Sequence, residues 1–158
     1  YYWYRYCSSC GNHYYVMDTR KRIKEHEGFS PTVYEDTLGY KTVGYGHLVT
    51  LKDEFVIGEV YSTDDLEDVF EDDYKIAFDN AHDLLEDEDV PFHETVESVL
   101  IEMAFQLGLP RLKKFVNFIQ GLKDQDYKKA SDEMIDSRWA KQTPNRAEGL
   151  ANMIREIV

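Results

Sequence analysis

The chain has 158 residues, 42% hydrophobic and 14% aromatic, which is enough to bury a core without staples and too apolar for a disordered chain. It holds no apolar run long enough to span a membrane, and its two cysteines cannot build a disulfide framework. The net charge is −13, and residues 48–98 carry 18 acidic side chains against Lys52 and Lys75 alone, a surface that repels phosphate backbones and argues against nucleic acid as a partner.

Residues 1–16, YYWYRYCSSCGNHYYV, are rich in Tyr and show no steady period. They lack the basic and apolar regions of a signal peptide. They read as an N-terminal extension ahead of a natural start at Met17. The rival is a zinc knuckle of Cys7, Cys10 and His13. That set supplies three ligands where structural zinc takes four, with His26 the candidate for the last. No metal and no cofactor is therefore expected.

Asp18 is placed to cap a helix through Arg20, Ile23 and Glu27, ended by Gly28 at C′ and by Pro31. Val33–Tyr34 and Tyr40–Tyr45 read as short strands around a turn at Asp36–Gly39. Gly44 and Gly46 form a G-x-G with no third glycine and no helix opening after it, so a dinucleotide site is not supported. Residues 48–62 read as a connection holding one more short strand, with Gly58 inside it.

Thr63, Asp64 and Asp65 open a long helix, acidic where the helix dipole prefers acid. Leu66, Val69, Phe70, Ala77, Phe78, Ala81, Leu84 and Leu85 form its apolar stripe. A second helix carries Val96, Val99, Leu100, Met103, Ala104 and Leu107 and stops at Gly108 and Pro110. A third carries Leu112, Phe115, Val116 and Ile119 and stops near Gly121. A fourth carries Tyr127, Ala130, Met134 and Ile135. Thr143 as N-cap and Pro144 at N1 open the last helix, through Ala147, Leu150, Ala151, Ile154, Ile157 and Val158. The pattern predicts a mostly helical α+β fold. A small α/β lobe (17–62) is joined by a connecting helix (63–87) to a helical lobe (88–158), and a ligand cleft lies between the lobes.

Glu27 ends the first helix, where the negative end of the dipole favours a carboxyl that keeps its proton. A general acid needs such a group. A hairpin would bring Asp36 and Thr42 to face it. A carboxylate beside a hydroxyl can orient one water. An acid on one side of a glycosidic bond and a held water on the other is the inverting arrangement. Any Glu, Asp and Thr in sixteen residues fits this spacing, and cap, turn and strand roles explain the three equally well.

The surrounding stretch is more specific. HEGFSPTVYEDTLGYKTVGYGHLVT resembles the active-site stretch of phage endolysins of the T-even lysozyme type, glycoside hydrolase family 24. The likeness includes E-x8-D-x5-T (Glu27, Asp36, Thr42), with Tyr34, Thr37, Gly39, Tyr40, Gly44, Gly46 and His47 around it. MAFQLG at 103–108 is similar to the family's central helix, and SRWAKQTPNRA at 137–147 to a family signature. The three blocks keep their order across residues 17–158, and the likeness begins at Met17.

The resemblance implies a lysozyme-like fold and a muramidase acting on bacterial peptidoglycan. It makes Glu27 the acid, and Asp36 and Thr42 the residues that place water. It implies Arg146 as the partner of Glu27, Leu48 and Phe105 as substrate-binding residues, and His47–Asp73 as a structural ion pair. Gln106 falls on the cleft wall and Trp139 in the core. Two cleft positions fall on Phe118 and Glu133, and His26 replaces an acidic neighbour of the catalytic Glu. The segment after His47 is shorter than in the T-even enzyme, which is also basic where this chain is acidic. The expected biology is lysis of a bacterial host by a monomer made in the host cytoplasm. Such an enzyme needs a holin-type pore to reach the wall. The rivals are a lytic transglycosylase, which needs no held water, a non-catalytic wall-binding or virion module, and an acidic helical adaptor.

Overall fold

The computed structural model describes residues 19–158, together with the backbone of β1 (Arg5–Tyr6) and β2 (His13–Tyr14), an antiparallel pair. The cap at Asp18, Cys7 and Cys10 lie outside the described residues, as does the side chain of His13.

Helix α1 (Thr19–Glu27) buries Thr19, Arg22 and Ile23. It stops at Gly28, whose φ of 70° is left-handed and whose N–H donates to Lys24 O at 3.0 Å. Glycine adopts that conformation without steric cost. Strands β3 (Ser30–Glu35), β4 (Lys41–Gly44) and β5 (His47–Leu48) form an antiparallel sheet in that order. The predicted strands and turn are present. The additional strand expected within 48–62 is instead β5, at His47–Leu48. The later residues fold back along β3 and give only isolated bridges, Thr32 to Val60 and Val33 to Ile57.

Helix α2 (Thr63–Asp87) has the bounds expected, with Ser62 as its N-cap, whose hydroxyl accepts from Asp65 N–H at 3.1 Å. Its stripe serves two apolar clusters. Leu66 packs with Val33 and Val43 beneath the sheet. Phe70, Tyr74, Ala77, Ala81, Leu84 and Leu85 join the larger helical core. Phe78 stands at the rim of this stripe, partly exposed against His82, with ring centroids 4.3 Å apart. Tyr74, which the pattern passed over, is inside.

Helix α3 (Glu94–Leu107) runs through that core, buried on nearly every side. The expected helix around Leu112–Ile119 divides into α4 (Leu109–Leu112) and α5 (Val116–Lys123). Gly121 does not stop α5 but lies inside it. A Cβ there would sit 2.9 Å from the backbone N of Ala130, so the glycine allows α5 to approach α6 (Tyr127–Ile135). Ile135 of the expected stripe is partly exposed.

A short α7 (Arg138–Gln142), capped by Ser137, precedes α8 (Pro144–Arg155). Thr143 occupies the N-cap position of α8, but its hydroxyl donates back to Trp139 O at 3.1 Å and caps nothing. Helix α8 ends at Arg155, so Ile157 and Val158 lie beyond it, and Val158 is exposed. The result is the mostly helical α+β fold expected. No described helix is long and apolar enough to cross a membrane.

Candidate active site

Glu27 is the last residue of α1, and its side chain is 21% exposed. Two elements hold its carboxylate. Arg146, from the first turn of α8, donates from Nη1 to Oε1 at 2.7 Å. Behind the other oxygen stands Gly46, in the turn between β4 and β5. A Cβ on Gly46 would lie 2.8 Å from Glu27 Oε2, so only glycine fits beside the carboxylate as it is held.

Arg146 is itself anchored. Its Nε donates at 3.3 Å to Oε1 of Glu102, a carboxylate of α3 that is 0% exposed. Arg22 Nε donates to Glu102 Oε2 at 3.0 Å, and His26 Nδ1 lies 2.6 Å from Glu102 Oε1. Arg22 Nη2 also donates to Ser98 Oγ at 2.7 Å, and Ser98 shares a 2.6 Å hydrogen bond with Thr19. A buried charge survives only when paired and hydrogen-bonded, and Glu102 has three such partners. Sequence reading passed over Arg22 and Glu102. The signal for Glu102 was available: it is the single charge in VLIEMAF, and a lone acid in an otherwise apolar helix requires a partner.

A second clamp ties α1 to α2. Lys24 Nζ donates to Glu67 Oε2 at 2.6 Å and lies over the rings of Tyr45 and Phe70. Tyr45 donates to Glu67 Oε1 at 2.9 Å. The bond from Lys24 holds the Glu67 carboxyl below its ordinary range, against burial. Burial, and then Glu67, push the Tyr45 phenol up. This clamp fixes the turn that carries Gly46, and through it the back of Glu27.

Asp36 opens the turn at the other end of β4. Its N–H donates to Tyr40 O, and its Oδ1 accepts from the backbone N–H groups of Leu38 and Tyr40 at 2.9 and 2.8 Å. That oxygen builds the turn, leaving Oδ2 for other partners. Thr42 is buried on β4, in register with Tyr34 on one side and Leu48 on the other. Cross-strand partners share a face, and side chains two apart along a strand do also. Thr42, Tyr34 and Leu48 therefore share one face of the sheet, opposite Val33 and Val43, and Asp36 lies in the turn just beyond β3. Leu48 is 51% exposed there. No hydrogen bond links Glu27, Asp36 and Thr42 to one another.

The remaining expected residues separate. His47 Nδ1 lies 2.7 Å from Asp73 Oδ2, joining β5 to α2. His47 Nε2 lies 3.4 Å from Asp53 Oδ2, close enough for ion pairing without hydrogen-bond geometry. The bond to Asp73 raises the imidazole above its ordinary value, although burial opposes it. Burial also works against ionisation of Asp53, but the amide and hydroxyl of Thr50, with His47, outweigh it and hold that carboxyl low. Gln106 Oε1 accepts from Trp139 Nε1 at 2.8 Å, and Trp139 is core. Phe105 is half-buried, its ring centroid 5.6 Å from that of Phe70.

Phe118, read as a cleft position, is 1% exposed and belongs to the core, because α5 turns that face against α6. Glu133 is half-buried and accepts from Asn117 at 3.3 Å. It lines a concavity of about 540 Å³ with Leu107, Phe115, Ser137 and Arg138. That concavity lies on the helical side of the molecule and is lined by none of Glu27, Asp36 and Thr42.

A small sheet, a long helix spanning two apolar clusters and a helix-end glutamate held by a distant arginine define the class as lysozyme-like. Residues 24–156 match the phage lysozyme family, and the chain belongs to it. A probable T4-type lysozyme of Dictyostelium discoideum is 26% identical over 88% of this chain and 94% of its own length. The pre-baseplate central spike protein Gp5 of Enterobacteria phage T4 is 28% identical over 87% of this chain, which matches 28% of that protein. Peptidoglycan hydrolase gp36 of Pseudomonas phage phiKMV is 29% identical over 84% of this chain, which matches 14% of that protein.

Proposed function

We propose that this chain is a muramidase of glycoside hydrolase family 24, cleaving the β-1,4 bond between N-acetylmuramic acid and N-acetylglucosamine in peptidoglycan with inversion. The observation that carries this reading is the seating of Glu27 between Arg146 and Gly46, beside the hairpin that carries Thr42 on β4 and Asp36 in its turn. Glu27 gives its proton to the leaving oxygen. Asp36, with Oδ2 unspent, accepts a proton from water or stabilises the charge that develops, and Thr42 helps hold that water. Glu27 stands against one end of β4 and Asp36 at the other. Leu48 and Phe105 contact sugar. Gln106 is a wall residue of the cleft, which runs between a small lobe (17–62) and a helical lobe (88–158) joined by the helix at 63–87. Residues 1–16 are an extension.

The setting is host lysis by a monomer that accumulates in the host cytoplasm and reaches the wall through a holin-type pore. The likeness to a phage spike protein favours a second setting, a virion-borne domain that opens the wall during entry. The test is release of soluble fragments from purified peptidoglycan, parent against Glu27→Gln, with mass spectrometry of the ends. Reducing muramic ends that disappear with Glu27→Gln establish the hydrolase and its acid. Anhydro ends identify a transglycosylase. Wall binding with no release by the parent identifies a non-catalytic module.

A further inference from the structure

The acid is held from behind by a second carboxylate, and that arrangement is built from residues far apart in the chain. Glu102 lies 80 residues from Arg22 and 44 from Arg146, and Arg146 lies 119 from Glu27. Arg146 thus stands between two carboxylates, Glu27 on one side and Glu102 on the other. Its Nη2 is buried with no hydrogen-bond partner, so Nη1 and Nε make the contacts that orient the guanidinium. Glu102 is the one buried carboxylate among the described residues. The charged and titratable groups facing it are Arg22 and His26 from α1 and Arg146 from α8.

We propose that Glu102 is a positioning residue for the reaction: it orients Arg146 and takes up part of its charge, so that Arg146 holds Glu27 in place without acting on it alone. The assignment rests on the reading of Glu27 as the proton donor. With Glu102 present, the Arg146 charge divides between two carboxylates. Removing the Glu102 charge leaves Arg146 to act on Glu27 alone and removes a negative neighbour. Both changes favour ionised Glu27. A general acid that ionises more readily loses its proton at lower pH, so the alkaline limb of the kcat profile moves toward acid. The guanidinium also loses its inner anchor, and a misplacement of about 1 Å at such a site costs on the order of 10²-fold.

The test compares Glu102→Gln and Glu102→Asp with the parent in three measurements. These are kcat and KM on peptidoglycan fragments across pH, the carboxyl-carbon NMR titration of Glu27, and thermal unfolding. In Glu102→Gln we expect kcat to fall roughly 10- to 100-fold with little change in KM, the alkaline limb to shift to lower pH, and the Glu27 midpoint to shift with it. In Glu102→Asp, which keeps the charge but shortens the reach, we expect reduced kcat with the parent's limb. A Glu102→Gln protein that is folded and has the parent's kcat, limb and Glu27 midpoint overturns the proposal. So does a loss of activity that follows only the loss of folded protein, with the limb unmoved. If Glu102→Gln does not fold, Glu102→Asp decides: parental kcat overturns the proposal, and a kcat loss beyond the loss of folded protein supports it. The NMR midpoint reads the Glu102 effect without turnover. A shifted midpoint in a chain whose Glu27→Gln variant stays active therefore refutes the acid, while leaving the coupling between Glu102 and Glu27 standing.

Discussion

Glu27 is held by contacts that tolerate little change, and Gly46 is the simplest place to disturb them. Its φ of 75° is left-handed, and any Cβ there meets the Glu27 carboxylate. The carboxylate is the free end of a side chain, but Arg146 restrains it, so relief comes by moving away from the arginine. Gly46→Ala is expected to cost about 1–2 kcal/mol for the left-handed backbone and, if Glu27 is the acid proposed, on the order of 10²-fold in kcat for its displacement. Fragment-release kinetics and denaturant unfolding on the same samples check both numbers. Equal kcat in a folded Gly46→Ala would show that the carboxylate position is not limiting. At this scale the spacing E-x8-D-x5-T was readable because helix end, turn and strand are local features. The second role of Asp36, accepting two backbone N–H groups in its own turn, follows from the ordinary turn chemistry of aspartate.

Among the elements, α2 and the sheet depend on the His47–Asp73 pair. The imidazole value is raised in the folded state, chiefly by its bond to Asp73. Its stabilisation is therefore complete below the unfolded value of about 6.5 and fades as pH rises through the higher folded value. Asp73→Asn is expected to cost about 1.5–3 kcal/mol near pH 5.5 and clearly less near pH 9, read as the difference in urea unfolding free energy. A cost that is the same at both values would show that the ionic form adds nothing. The helices themselves were largely legible, because 3.6-residue periodicity, Pro and Gly mark them locally. The exceptions are those decided by packing. Gly121 resembles a helix stop, but its missing side chain is what lets α5 lie on α6. Phe78 looks like core, yet it falls at the edge of a stripe whose centre runs through Phe70, Ala77 and Ala81.

The whole molecule carries −13, with most of the excess acid between residues 48 and 98. Bacterial walls are anionic, so approach is opposed at low ionic strength. Raising salt from about 10 to 150 mM shortens the screening length from ~30 to ~8 Å. Fragment release from intact walls is expected to rise severalfold over that range, while cleavage of short, uncharged chitin-type oligosaccharides stays nearly flat. Release that falls steadily with salt would show that repulsion does not limit the encounter. The fold class was legible at this scale from the division between short strands and longer helices.

What the amino-acid order determined unaided is local: where most helices begin and end, and where the hairpin turns. Each depends on neighbours within a few residues, through backbone geometry, capping and periodicity. Tertiary structure decided which charges leave water. Arg22 looks like an ordinary surface arginine in the sequence, and only the packing of α1, α3 and α8 encloses it with Arg146 around Glu102. Desolvation depends on everything that covers a group, and those covering residues come from three distant parts of the chain. For that reason Glu27 and its partner Arg146 could be named from the resemblance, but the enclosure of Glu102 by Arg22, His26 and Arg146 could not.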